Sequence, residues 1–219
     1  MLRKLLAEFL GTFGLVFAGC GIVVVNDVAG GIVGHLGIST VWGLIVMTMV
    51  YSFGDVSGAH INPAVSIAFW LSGRFPLKEL GPYIVAQSVG SITASGLLFY
   101  LFPTNEYYGT TLVSDTIMQS FVMEIVITFL LMLIIIMVAT GSKEVGILAG
   151  VAIGAAVAIF ALLAGPITGA SMNPARSLGP ALVSGHLENL WLYFAAPIIG
   201  AALAVPVSNV LKGGKSVSE

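Results

Sequence analysis

The chain has 219 residues, of which 58% are hydrophobic and 8% are charged, with a formal net charge of -2. Soluble domains carry about 25% charged residues, so this composition excludes a soluble globular protein, and it leaves no basic surface for nucleic acid. The single cysteine, Cys20, excludes an internal disulfide and a multi-cysteine metal site, and we expect no cofactor.

Six apolar stretches are long enough, at roughly 20 residues each, to cross a bilayer as helices. They are residues 5–25, 36–54, 82–102, 118–139, 146–164 and 191–211. Six spans place both termini on one side of the membrane, and that side receives nearly all the basic residues: Arg3, Lys4, Arg74, Lys78, Lys143, Lys212 and Lys215. The positive-inside rule therefore predicts cytoplasmic termini. We expect the membrane to be the plasma membrane. The first span is expected to remain in the mature protein, because Glu8 interrupts the apolar run that a lipoprotein signal would need before Cys20.

Two connections, residues 55–80 and 165–190, carry the same motif. Gly-Ala-x-x-Asn-Pro-Ala occupies positions 58–64 and returns at positions 169–175. The duplication also reaches the spans, since Glu8 in the first span is echoed by Glu124 in the fourth. We therefore predict a single membrane domain, residues 1–219, made of two repeats over about 1–115 and 116–219 that together build one site.

Each motif predicts the start of a short helix. Asn62 and Asn173 are N-cap residues, and Pro63 and Pro174 stand at the first helical position, where a missing N–H costs nothing. The helices should cover about residues 63–71 and 174–183. At 1.5 Å per residue they are roughly 14 Å long, about half the hydrocarbon thickness of a bilayer.

The two repeats should have opposite orientations in the membrane, because each contains an odd number of spans. One short helix then enters from each side, and their positive N-terminal ends meet near the midplane. Each Asn can cap its helix through its oxygen and offer N–H groups to a passing oxygen atom. A pore at this point should pass neutral hydroxylic molecules and repel cations, hydronium included.

The chain resembles the aquaporin, or major intrinsic protein, family. The resemblance rests on both Asn-Pro-Ala boxes (Asn62, Pro63, Ala64; Asn173, Pro174, Ala175), on Arg176 directly after the second box, and on the Glu8 region with Gly11-Thr12-Phe13. It implies a right-handed bundle of six helices and two re-entrant half-helices. It also implies a homotetramer in lipid, with one pore in each subunit.

The resemblance further implies a narrow selectivity filter outward of the boxes, at Trp42, Ala161, Ala170 and Arg176. Strict water channels of the family usually place His at the second of these positions, where this chain has alanine. The wider, amphipathic filter is similar to that of the nodulin-type branch, whose implied solutes are glycerol, urea and uncharged metalloid acids such as arsenous and boric acid, besides water. Two departures are Ser177, where glycerol facilitators usually carry Asp, and Asp55, where many relatives have His.

Other residues of the motif receive supporting roles. Glu8 and Glu124 are interpreted as buried carboxylates that accept backbone N–H groups of the re-entrant loops. The pore-lining backbone is assigned to Gly58, Ala59, His60, Gly169 and Ser171, with the His60 side chain packed and not a metal ligand. Gly146, Gly150 and Gly154 are interpreted as a helix-packing face.

Three alternatives stay open at the level of sequence. A water-selective aquaporin differs only in the filter. A secondary transporter also uses inverted repeats with broken helices, and its coupling site would have to be Glu8 or Glu124. An intramembrane enzyme is disfavoured, because the sequence contains no Gly-x-Ser-x-Gly, His-Glu-x-x-His or carboxylate cluster.

Overall fold

The computed structural model describes residues 1–213, apart from the Glu144 side chain. Within this part of the chain all regular structure is helical: α1 Leu2–Val28, α2 Gly34–Ser57, α3 Pro63–Leu71, α4 Leu77–Leu101, α5 Ile117–Ala139, α6 Lys143–Ile147, α7 Ala149–Thr168, α8 Pro174–Ser184 and α9 Leu192–Leu211. The helices long and apolar enough to cross a membrane are α1, α2, α4, α5, α7 and α9. These correspond to the six predicted spans; Lys215 and the end of the second repeat lie outside the described residues.

Two predicted spans needed correction at their ends. The third was predicted to begin at Pro82, but α4 begins at Leu77 and contains Pro82, because a proline near a helix start removes only one backbone hydrogen bond. The fifth was predicted over 146–164, whereas α7 runs over Ala149–Thr168, after the separate turn α6. Hydropathy does not detect that break, because the residues at it, Ile147, Leu148 and Ala149, are all apolar.

The extension of α7 past residue 164 has a specific cause. Pro166 lies inside the helix and has no N–H to donate to the carbonyl oxygen of Leu162. The His35 ring on α2 supplies that hydrogen bond instead, with its Nε2 2.8 Å from the Leu162 oxygen. A side chain from a neighbouring helix therefore replaces the bond that the proline removes.

Equivalent helices of the two repeats pack in equivalent ways. In the first repeat α1 packs on α4, and in the second α5 packs on α9, while α2 and α7 pack on each other across the boundary between repeats. The α2–α7 approach is close at Gly43 and Gly154, because a β-carbon at Gly154 would lie 2.6 Å from the Gly43 oxygen. A β-carbon at Gly150 would lie against the ring of Tyr51, but a β-carbon at Gly146 would meet no atom within 4 Å. The predicted glycine face therefore holds for two of its three members.

The short helices bind to the opposite repeat. Helix α3 packs on α9, and helix α8 packs on α4. Each half-helix is thereby anchored by the last helix of the other repeat, and α3 and α8 also contact each other. This exchange brings the Asn62 and Asn173 ends together in the interior.

Candidate channel and its constrictions

Both asparagines cap their helices. The Asn62 Oδ1 accepts from the backbone N–H of Ala64 at 2.9 Å, and the Asn173 Oδ1 accepts from those of Ala175 at 3.0 Å and Arg176 at 3.3 Å. Both residues have extended backbone, and a proline follows each at the first helical position. Helix α3 spans the predicted residues, and α8 ends one residue later, at Ser184, before Gly185 with φ 79°.

The amide nitrogens of the same asparagines join the two loops. The Asn62 Nδ2 donates to the carbonyl oxygen of Met172 at 2.8 Å, and the Asn173 Nδ2 donates to that of Ile61 at 2.9 Å. An amide has two N–H groups, so one on each side chain is used in this link. The other is available to a molecule in the channel.

The loops before the asparagines have an unusual backbone. Ala59 and Ile61 have φ values of 46° and 45°, and Ala170 and Met172 have values of 46° and 52°. Left-handed conformations of this kind are costly for residues with a side chain, by about 1–3 kcal/mol each. They also leave successive N–H groups without regular helical partners, so something else must bind them.

Two buried carboxylates bind those N–H groups. Glu8 accepts from the backbone of His60 at 2.9 Å and of Ile61 at 2.7 Å. Glu124 accepts from the backbone of Ser171 at 2.7 Å and of Met172 at 2.8 Å. Both carboxylates therefore lie against the loops that precede Asn62 and Asn173.

The two repeats differ beside these carboxylates, and sequence reasoning missed the difference. The Gln87 Nε2 donates to Glu8 at 2.7 Å and to the hydroxyl of Ser66 at 3.0 Å. A tyrosine contact, by contrast, is common to both repeats. The Tyr83 hydroxyl donates to the backbone carbonyl oxygen of Ser57, and the Tyr193 hydroxyl donates to that of Thr168, both at 2.9 Å. The signal available in the sequence was polar residues within otherwise apolar spans.

Two cavities meet at the predicted filter. The larger, of about 800 Å³, opens toward the end that holds the N-terminus and passes both asparagines. The smaller, of about 240 Å³, opens toward the opposite end. Four residues line both cavities, namely Trp42, Ala161, Ala170 and Arg176. The structure therefore brings together the quartet that the resemblance assigned to the filter.

Arg176 is held from two sides at this junction. Its Nη1 donates to the carbonyl oxygen of Gly109 at 2.7 Å and lies 3.7 Å from the Cys20 sulfur. Its Cζ lies 4.6 Å from the centre of the Trp42 ring, a cation–π distance. Gly109 uses only Nη1, and Nε is buried with no partner among the described residues, so the N–H groups of Nη2 are the ones left for a solute.

The connection between α4 and α5 supplies Gly109, which sequence analysis did not single out. Tyr108 is buried with φ 49°, and Asn105 binds the backbone N–H groups of Tyr107 and Tyr108. The Thr111 hydroxyl donates to Ser177 at 2.9 Å. Ser177, one of the departures noted in the sequence, therefore ties this connection to α8.

Most of the remaining predicted residues lie along the larger cavity. Its lining includes Gly58, Ala59, His60 and Ser171, whereas Gly169 lines the smaller one. The His60 ring stacks on Phe69 at 4.8 Å between ring centres and packs against Phe75 at 4.7 Å. Asp55 is exposed at the wide mouth. Among the side chains that the structure describes, no group of His, Cys, Asp and Glu is arranged to hold a metal ion.

Comparison with solved structures identifies the fold. The X-ray structure of the aquaglyceroporin from Plasmodium falciparum is similar, with a TM-score of 0.82 and 25% identity, over 95% of this chain and 99% of that one. This similarity confirms the predicted fold class, a helical membrane channel fold.

Comparison of sequences leads to the same family. The model of the major intrinsic protein family matches residues 1–207. Aquaporin NIP1-1 of Zea mays is 47% identical over 96% of this chain and 75% of its own length. Nodulin-26 of Glycine max is 47% identical over 96% of this chain and 78% of its own length. The chain therefore belongs to the major intrinsic protein family, and it is a multi-pass membrane channel for water and small solutes, not an enzyme.

Proposed function

We propose that the channel conducts water together with small uncharged hydroxylated solutes, such as glycerol, urea and uncharged metalloid acids, and that it excludes ions and protons. The observation that carries the proposal is the composition of the junction between the two cavities. There a cation and an aromatic ring face two alanines. The constriction therefore combines fixed donors with apolar walls and little side-chain bulk.

The size argument rests on Ala161 and Ala170. A methyl group is the smallest side chain that an L-residue places in a wall, and at these two positions it leaves room for a carbon chain. Trp42 supplies an apolar surface against which such a chain can lie. The free N–H groups of Arg176 donate to hydroxyl oxygens on the other side of the solute.

The charge argument rests on two positive regions in series. The Arg176 guanidinium stands at the filter, where a fixed charge is little screened by solvent. Deeper in the channel, the N-terminal ends of α3 and α8 add roughly half a positive charge each. A cation would have to pass both regions, whereas a neutral solute only exchanges hydrogen bonds.

The bonding of Glu8 and Glu124 favours a channel over a coupled transporter. Both oxygens of each carboxylate accept hydrogen bonds from the loops. A coupling site must release and rebind a proton or ion during each cycle, which would break those bonds each time. Flux should therefore be linear in the gradient and independent of membrane potential.

We further propose the arrangement in the membrane and in the assembly. The basic residues near the N-terminus and at Arg74, Lys143 and Lys212 favour cytoplasmic termini, and we place the channel in a plasma membrane. A homotetramer with one pore in each subunit, each made of repeats 1–115 and 116–219, follows from the family resemblance.

The test is stopped-flow light scattering of proteoliposomes in sucrose, glycerol and urea gradients. We expect fast shrinkage in sucrose, followed in glycerol by re-swelling faster than in empty liposomes. The matched variant is Ala161→His, which should keep water flux but reduce glycerol flux roughly tenfold or more, since about 1.4 kcal/mol on a barrier changes a rate tenfold. Glycerol flux equal to that of empty liposomes in the wild type would instead favour a water-selective channel.

A further inference from the structure

Two basic residues lie at the end of the molecule that holds the N-terminus, after the ends of two helices that pack on each other. Arg74 lies in the bend between α3 and α4, and Lys212 caps the C-terminal end of α9. Helix α9 packs on both α3 and α5, so this point lies where three helix ends come together. Burial and the nearby charge of Arg74 both lower the pKa of Lys212.

Among the residues that the structure describes, the Glu144 side chain excepted, neither cation has an anionic partner. The Lys212 Nζ donates to the carbonyl oxygen of Ile136 at 3.2 Å, in the last turn of α5. The Arg74 Nη1 is buried and has no hydrogen-bond partner among the described residues. At the same end of the molecule, Lys4 does pair with a carboxylate, that of Glu79, at 2.9 Å.

This arrangement is costly by itself. Two like charges close together repel each other, and a buried guanidinium nitrogen without an acceptor loses the hydrogen bonds it had in water. An anion with several oxygen acceptors between the two side chains removes both costs. A phosphate group fits this requirement, because arginine donates to two of its oxygens at once and lysine contributes a further charge.

The surroundings favour a phosphate carried by a lipid. Exposed apolar residues lie near both cations in the sequence: Leu71, three positions before Arg74, is exposed at 48%, and Val210 and Leu211, just before Lys212, are exposed at 78% and 60%. Exposed apolar residues at the end of a membrane span face acyl chains, and the basic residues beside them stand at headgroup depth.

We propose that Arg74 and Lys212 form a binding site for the phosphate group of an anionic membrane lipid, where the ends of α3, α5 and α9 meet. The guanidinium binds the phosphate oxygens, Lys212 adds charge beside it, and the exposed apolar residues contact the first part of the acyl chains.

The experiment measures thermal unfolding of the purified channel in nonionic detergent. Three additions are compared: short-chain phosphatidylglycerol, short-chain phosphatidylcholine and inorganic phosphate. We expect phosphatidylglycerol to raise the unfolding midpoint by about 5 °C at saturation and phosphatidylcholine to have little effect. An equal rise with inorganic phosphate would assign the same site to free phosphate instead of lipid.

The variants are Arg74→Gln and Lys212→Gln, with Lys143→Gln as the control. Lys143 is an exposed lysine in α6, and its replacement makes the same change of charge. The first two should lose most of the rise, the control should keep it, and Arg74→Lys should keep part of it. Where Arg74→Gln yields too little protein, Lys212→Gln and native mass spectrometry of retained phosphatidylglycerol replace it. Equal stabilisation by both lipids, or an equal loss in all three glutamine variants, would overturn the proposal.

Discussion

Asn62 and Asn173 each donate a side-chain hydrogen bond to the backbone of the other's loop, at 2.8 Å to Met172 and 2.9 Å to Ile61. The two residues are 111 positions apart in the sequence, yet each closes the same kind of link. Each asparagine therefore caps its own half-helix with its side-chain oxygen and binds the loop before the opposite half-helix with its side-chain nitrogen. The central constriction is a single cross-linked unit, and damage to either asparagine should be felt in both halves.

We predict that Asn62→Asp and Asn173→Asp each reduce solute flux roughly tenfold or more. The aspartate carboxylate keeps the oxygen that caps the helix but lacks the N–H₂ group that donates to the carbonyl oxygen of Met172 or Ile61. A negatively charged oxygen would face that carbonyl oxygen instead. Flux per inserted channel is measured by stopped-flow scattering. Asn209→Asp makes the same chemical change at an exposed position on α9 and should behave like the wild type. Unchanged flux and ion exclusion in both box variants would contradict the model of the central barrier.

Arg176→Val and Trp42→Ala should separate charge from size at the filter. The first removes the fixed charge and the donor to Gly109, so proton and small-cation leak should rise. The second widens the junction but keeps the charge, so bulkier neutral solutes should pass faster while protons stay excluded. A pH-sensitive dye inside liposomes measures the leak. Equal proton leak in both variants would mean that pore width, and not the Arg176 charge, excludes protons.

Glu8→Gln and Glu124→Gln test the supporting role of the carboxylates. In each variant an amide N–H₂ replaces one of the carboxylate oxygens that accept hydrogen bonds from the backbone N–H groups. One buried backbone N–H is then left without an acceptor, at a cost of about 1–3 kcal/mol. We expect less folded protein and a lower unfolding midpoint, with the remaining flux independent of pH. Glu188→Gln, at an exposed outer position, is the control. Full stability together with loss of a pH-dependent uptake would point instead to a coupled transporter.

Gly19→Ala should disturb the filter by displacing the Trp42 ring. Gly19 on α1 lies against the Trp42 ring, and a β-carbon there would overlap it. Overpacking of this kind costs about 1–3 kcal/mol, and the displaced ring should narrow the junction and lower glycerol flux more than water flux. Gly96→Ala on α4 meets no atom within 4 Å and provides the matched control. Its flux should be unchanged, and its helix should be slightly more stable. A glycerol-to-water ratio that is the same in both variants would be inconsistent with this placement of Trp42.

Much of the structure depends on short stretches of sequence and could therefore be predicted from the sequence alone. Asn62 followed by Pro63 specifies a helix start through N-cap geometry and a fixed φ, whatever surrounds it. The span lengths follow from the thickness of the bilayer, and the duplication of the motif specifies two equivalent loops. The buried acceptors Glu8 and Glu124 were also predictable, because an ionisable residue inside an apolar span needs a partner.

What only the tertiary structure decided depends on contacts between distant parts of the chain. Gly109 contributes a backbone carbonyl, and every residue has one, so no side-chain pattern marks it as the partner of Arg176. The replacement of the bond lost at Pro166 by His35 and the addition of Gln87 to one repeat alone likewise depend on which helices become neighbours. Periodicity and motif spacing describe single elements of the chain, whereas hydrogen-bond satisfaction in a lipid-embedded interior is achieved between elements.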